Sequence, residues 1–269
     1  MCYHRWMRAQ VTAILLVLGT IGVWGAGPDA LAQARRLYNL GEYERALEAA
    51  REAAASPVTA ASARLVIGRI NLERYRQSAQ SADLEEAHGA LRALDPQVLD
   101  PRERVELQVG LAELLYFDDH FGAAAELFDP VLEASSALGP NAHERVLDWW
   151  ASALDRQAQA SADRASVYER IVVRMEQELR RDSASVPAAY WLSAASRGAG
   201  DLDRAWAAAC AGWIRAVAAR DRGVALRADL DRLVTQAIIP DRAARSPIRD
   251  RRQATAALIA DWESFKKIW

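Results

Sequence analysis

Leu40-Gly41-Glu42-Tyr43-Glu44-Arg45-Ala46-Leu47 is matched, far along the chain, by Ala199-Gly200-Asp201-Leu202-Asp203-Arg204-Ala205-Trp206. Both stretches read as glycine, acidic residue, large apolar residue, two charged residues and alanine. Each position has a physical use. Glycine takes the left-handed conformation that ends one helix, an acidic residue suits the positive end of the next, and alanine lets two helix backbones approach closely. Weaker copies run through Asp83-Leu84-Glu85-Glu86-Ala87 and His120-Phe121-Gly122-Ala123-Ala124. Self-similarity of this kind predicts stacked helical hairpins, none of which buries its apolar face alone.

The surrounding sequence agrees. After Gln33, Ala, Leu, Arg and Glu dominate and β-branched runs stay short, so the chain reads as all-α. Pro57, Pro96, Pro101, Pro140, Pro187, Pro240 and Pro247 fall between helical stretches, where a missing N–H does least harm. Pro130 interrupts the apolar sequence from Leu127 to Leu132 and predicts a break or kink. Beyond Arg220 the grammar stops. Leu226, Leu230, Leu233, Val234 and Ala237 form one helical face ending before Pro240, and Ala254, Leu258, Trp262, Phe265 and Trp269 form another at spacings of four and three. Such a helix suits the apolar end of a stack, or a partner's groove.

The residues around Pro28 to Pro57 (Ala34, Gly41, Tyr43, Ala46, Ala53) and around Val186 to Val217 (Ser193, Gly200, Leu202, Ala205, Gly212) resemble the tetratricopeptide-repeat family, where a short helix A ends at such a glycine and helix B follows. Three looser units lie between. The second has Gly68 but a lengthened turn before Ala87; in the third, Gly110 and Ala124 are too far apart; the fourth has Trp149, Ala153 and Ala165 but no turn glycine. The resemblance implies a right-handed α-solenoid of about five antiparallel pairs over residues 33–220, with capping helices over 221–269.

The first residues differ in kind. Arg5 and Arg8 precede an apolar run from Val11 to Val23, and Ala30-Leu31-Ala32 has the small-x-small pattern of a signal-peptidase site, so residues 1–32 read as a secretory signal cut after Ala32. The run is short for a membrane span, which takes roughly 20 apolar residues; contact with a membrane is expected only through this segment, if it is kept. The protein is expected to be periplasmic or secreted in a bacterium. Removal of Cys2 would leave Cys210 alone, so no internal disulfide is expected.

With 34 basic and 36 acidic residues the net charge is -2, and no nucleic-acid partner is expected. His88, His120 and His143 are far apart, and neither a phosphate-binding loop nor a nucleophile elbow occurs, so no metal, cofactor or catalytic role is expected. Asp118-Asp119-His120 reads as helix caps. The five arginines from Arg242 to Arg252 read as a solvated linker.

A binding surface remains. The resemblance implies a concave groove lined by helix A residues: Leu65, Arg69 and Leu72; Arg104, Leu107, Leu111 and Leu114; Trp150, Leu154 and Gln157; Tyr190 and Arg197. The expected function is an adaptor or scaffold holding a protein or peptide segment there. A solute-binding or transporter-associated component, with a pocket lined by Trp150, Tyr190 and Trp191, is the alternative; a helical enzyme would need a converging carboxylate pair.

Overall fold

The structure, a computed structural model, describes residues 26–248 and 250–269. Among them there is no strand. Helices follow one another in pairs: α1 (Ala26–Asn39) with α2 (Tyr43–Ala54), α3 (Ala60–Ser78) with α4 (Ser81–Arg92), α5 (Pro101–Phe117) with α6 (Phe121–Ala134), α7 (Ala142–Ala160) with α8 (Arg164–Arg181), and α9 (Val186–Ala199) with α10 (Leu202–Arg215). Then come α11 (Asp221–Leu233), a π-turn over Val234–Ile238, α12 (Ile239–Arg245) and α13 (Arg251–Ile268). Each helix packs on its partner, and each first helix also packs on the next first helix, from α1 through α3, α5, α7 and α9 to α11. The first helices therefore form a continuous row. The apolar run of the expected signal lies outside the described residues, whereas Ala30-Leu31-Ala32 lies inside α1, with Ala30 buried beside Ala53 and Ala63.

The turns explain the pairing. Gly41 (φ 76°) and Gly200 (φ 90°) take the left-handed conformation, and the next amide in each case donates back to a carbonyl five residues earlier: Glu42 to Leu37 at 3.0 Å and Asp201 to Ser196 at 3.0 Å. The α5–α6 turn closes in the same way with Asp119 (φ 61°) in the glycine's place and His120 donating to Leu115 at 2.8 Å, while Ala79 (φ 54°) ends α3. Asp118 and Asp119 are thus not N-caps of α6; one ends α5 and the other turns the chain. The alanines of the turn grammar, Ala46, Ala87, Ala124 and Ala205, are fully buried. At Gly198 a Cβ would stand 2.5 Å from the Tyr168 ring, so only glycine lets α8 lie this close to α9.

Three expectations are corrected. Pro130 does not end α6: it sits on the exposed face, where its ring meets no core side chain, while Phe128, Val131 and Leu132 stay in the core. Pro240 does not end the helical path either. It occupies the first turn of α12, where no N–H is needed, and the π-turn joins α11 to α12. The arginines of 242–252 are partly structural, because Arg242 donates to the Leu202 carbonyl (3.2 Å) and Arg245 to that of Gly200 (2.7 Å), clamping the α9–α10 turn.

The C-terminal helix closes the array through Trp262, which is fully buried against Trp206, Trp213 and Phe265. Its indole N–H donates to Asp231 (2.8 Å), which also takes Lys266 (2.7 Å). Trp269 leaves the stripe: it is 60% exposed and held through its backbone, its N–H donating to the Phe265 carbonyl (3.2 Å) and its carbonyl accepting from Arg227 (3.3 Å).

Candidate functional site

Three connected cavities lie along the row of first helices. The largest, about 700 Å³, is lined by Tyr38 and Tyr43 at the α1–α2 corner, Tyr116 and Phe117 at the end of α5, and Trp149 on α7. Tyr38 and Tyr43 have ring centroids 6.0 Å apart; Trp149 meets Tyr116 (4.9 Å) and Phe117 (5.7 Å) edge to face. Polar groups frame the rings. The Tyr116 hydroxyl bonds Ser152 (3.0 Å), Glu73 pairs with Arg76 (2.5 Å), and Arg145 and Asp148 of α7 stand at one side.

Arg145 and Asp148 also line a second cavity of about 580 Å³, whose other walls are Val186, Pro187 and Tyr190 of α9 and Arg222, Leu226 and Asp229 of α11. A notch of about 80 Å³ between α1, α3, α5 and α7 completes the set; Tyr38 and Asn39 belong to both the notch and the aromatic cavity, and Arg102 and Arg145 stand across it. Arg145 therefore touches all three spaces. Among the described residues neither Arg102 nor Arg145 has a carboxylate partner.

The wall beneath is rigid. Arg69 of α3 and Glu113 of α5 form a buried ion pair, with Arg35 of α1 reaching Glu103 of α5 at 2.5 Å. Burial opposes the Arg69 charge, but the Glu113 carboxylate outweighs it and holds the guanidinium protonated. Burial pushes the Tyr38 hydroxyl up to about 12, with Arg69 acting in the opposite direction. The second cavity holds charges of both signs: Glu144 pairs with Arg222, Asp229 pairs with Arg232 (3.3 Å), and Asp148 and Arg145 stand one helical turn apart on α7. Desolvation by the surrounding walls raises the Asp148 carboxyl although its surface stays accessible; the hydrogen bond from the Trp191 indole (2.7 Å) opposes this and the Asp229 charge adds to it. Burial, then Asp229, Asp155 and Asp148, raise Tyr190.

The groove residues read from the sequence divide sharply. Leu65, Leu72, Leu107 and Leu114 are buried together in one core cluster with half-buried Leu111 beside them, and Trp150 and Leu154 are buried in the central core; of these six only Trp150 borders a groove, the one between α6 and α8. Arg69 spends its charge on Glu113, Arg104 is exposed and donates to the Leu99 carbonyl (3.1 Å), and Gln157 lies against Gly122 of α6. Arg197 turns to Asp241 of α12 (2.8 Å). Tyr190 alone of the twelve, besides the notch wall formed by Arg69, lines these cavities. Trp150, Tyr190 and Trp191 are not brought together, because Trp150 faces the groove between α6 and α8.

The residues that line the cavities mostly stand one position away, about 100° on a helix: Val66, Glu73, Glu106 and Trp149 face the cavities, next to the expected Leu65, Leu72, Leu107 and Trp150. A usable signal was present. Tyr38, Arg76 and Tyr116 each stand three residues before a left-handed residue (Gly41, Ala79, Asp119), and all three line the aromatic cavity.

One constellation went unnoticed in the sequence. Ser135 Oγ lies 3.0 Å from His143 Nδ1, and His143 Nε2 lies 2.9 Å from Glu178, the order of a nucleophilic triad. The Ser135 hydroxyl is fully buried and donates to the Leu132 carbonyl (2.7 Å), so no substrate reaches it; the chain of bonds ties the end of α6 to α7 and α8. Cys210 is half-buried, and burial pushes its thiol up, away from reactivity. Among the described residues no group of three or more His, Cys, Asp or Glu side chains is placed to hold a metal ion, and no helix is long and apolar enough to cross a membrane.

No family model matches the chain, and comparison with curated proteins finds no match.

Proposed function

We propose that the chain is an exported adaptor of the tetratricopeptide-repeat kind, a right-handed stack of helical pairs that holds a segment of a partner protein against its first helices without catalysis. The observation that carries this reading is the partial exposure of Trp149, Tyr116 and Phe117 beside exposed Arg145 along one row of helices, with Trp, Tyr and Arg the residue types that most often anchor interfaces, in adjoining cavities too extended for one small ligand. Export rests on the charged, apolar and small-residue order of residues 1–32. The test is a photo-crosslinking amino acid placed at Tyr116 and, as control, at Val173 on the exposed face of α8. Protein adducts from Tyr116 and none from Val173 are expected in envelope extracts; equal labelling, or none from a helical sample, refutes the reading.

A helical solute-binding component is the second reading, favoured by the ring-lined cavity of about 700 Å³, a size that fits a small metabolite. It predicts thermal stabilisation by such a metabolite that is lost in Trp149→Ala.

A further inference from the structure

Resting on export as proposed above, we propose that the leader is removed by hydrolysis of the Gly25–Ala26 bond, ahead of α1, and not after Ala32, so that the mature chain keeps its first helix whole. Water adds across that peptide bond in the site of a peptidase that selects small side chains; the leader departs with the new carboxylate and Ala26 keeps the new amine. What points to this is the place of the Ala30-Leu31-Ala32 pattern in the fold. Residues 26–32 are half of α1, which has 14 residues. Ala30 is buried beside Ala53 of α2 and Ala63 of α3, both fully buried, and half-buried Leu31 packs on that cluster and on the one that holds Ala34, Leu37, Ala46 and Ile70. A cut after Ala32 removes both side chains and opens Ala53 and Ala63 to water. It also leaves a short helix from Gln33 to Asn39, with a new ammonium group, Arg35 and Arg36 crowded at its positive end. Arg35, which ties α1 to Glu103 of α5, would then stand in a fraying turn.

The start of α1 has instead the chemistry of a natural beginning. Pro28 needs no N–H donor in a first turn, and Asp29 complements the positive end of the helix. Directly ahead of α1, Gly25 places no side chain at the cut, and Val23, the last residue of the apolar run, stands two positions before it. The neighbouring bonds are poorer. A cut after Ala26 puts bulky Trp24 two positions before it, and a cut after Gly27 attacks the tertiary amide of Pro28, whose ring restricts the residue in front.

The test is the intact mass of the chain recovered from the periplasm of a bacterial host that makes it with its own leader. A mature chain starting at Ala26 is expected. Gly25→Leu should abolish that product, whereas Ala32→Leu, at an exposed position of α1, should leave it unchanged. Purified chains beginning at Ala26 and at Gln33 should also differ, the shorter one exchanging amide hydrogens at least about tenfold faster through α2 and melting at a lower temperature. An exported chain that starts at Gln33, or at any residue other than Ala26, or that keeps its leader, overturns the inference and leaves export standing. Loss of processing in Ala32→Leu, or equal exchange in the two purified chains, overturns it as well. A chain that is neither exported nor cut overturns both.

Discussion

Replacing Glu113 with Gln removes the only carboxylate, among the described residues, bonded to a guanidinium that has little access to water: the side chains of Arg69 and Glu113 are 10% and 4% exposed. Arg69 stays charged at every accessible pH, so the variant leaves an uncompensated buried cation. Breaking one side of such a pair costs about 3–5 kcal/mol. The value here should fall near the lower end, because Glu106 and the Tyr38 hydroxyl stand close enough to favour the charge in part. For a chain of this size, 1 kcal/mol moves Tm by about 2–4 °C, so Glu113→Gln should melt roughly 10 °C lower, followed by circular dichroism. Removing both charges in Arg69→Met/Glu113→Leu should restore the melting point or raise it, since neither partner is then left desolvated. A double-mutant cycle should give a coupling of about 2 kcal/mol or more. A loss below about 1 kcal/mol in Glu113→Gln, or a double variant as unstable as the single one, would refute the idea that these two charges stand only by each other.

Other outcomes follow from the same geometry. Gly198→Ala drives a methyl into the Tyr168 ring and displaces its hydroxyl from Asp155 (2.7 Å), so it should cost about 1–3 kcal/mol in urea unfolding, with Tyr168→Leu softening the loss. Trp262→Ala empties the last core cluster and should cost about 3–5 kcal/mol, with hydrogen exchange rising first in α13 and α11. The Asp231 carboxyl is raised by burial but lowered further by its bonds from Lys266 and Trp262, giving a net depression. A depressed carboxylate stabilises the fold above its unfolded value of about 4 and loses that contribution as pH falls through the folded value. Melting temperature should therefore decline on acidification below about pH 4, less steeply in Asp231→Asn; identical acid limbs would count against the clasp.

The all-helical class was legible because turn chemistry is local. Gly41 and Gly200 have no equal substitute in sequence language, and the alanines that follow mark the close contacts. The third turn was harder to read, since Asp119 adopts by tolerance the conformation that glycine adopts freely, and nothing in Asp118-Asp119-His120 says which residue does so. Which side chains line the cavities was hard to read for a different reason. The first helices pack against their partner on one side and against two other first helices along the row, so α3 buries every residue from Leu65 to Leu72, Arg69 and Asn71 among them, and α5 buries residues on more than one face. Periodicity then gives no preferred face. Trp149 and Trp150 are neighbours in sequence yet serve different sides of α7, one half-buried at the aromatic cavity and one buried beneath the groove between α6 and α8. The charged residues of the cavities escaped notice because Arg102, Arg145, Asp148 and Asp229 are ordinary surface residues until α5, α7 and α11 bring them together.

Because packing joins each helix mainly to its near neighbours, while first helices start at residues 26, 60, 101, 142 and 186, the chain is modular at intervals that are not fixed. Insertion or loss of a whole pair disturbs only the two junctions it touches. Related genes are therefore free to change the reach of the surface in discrete steps, and to change it without redesigning the terminal seal that Trp262 provides.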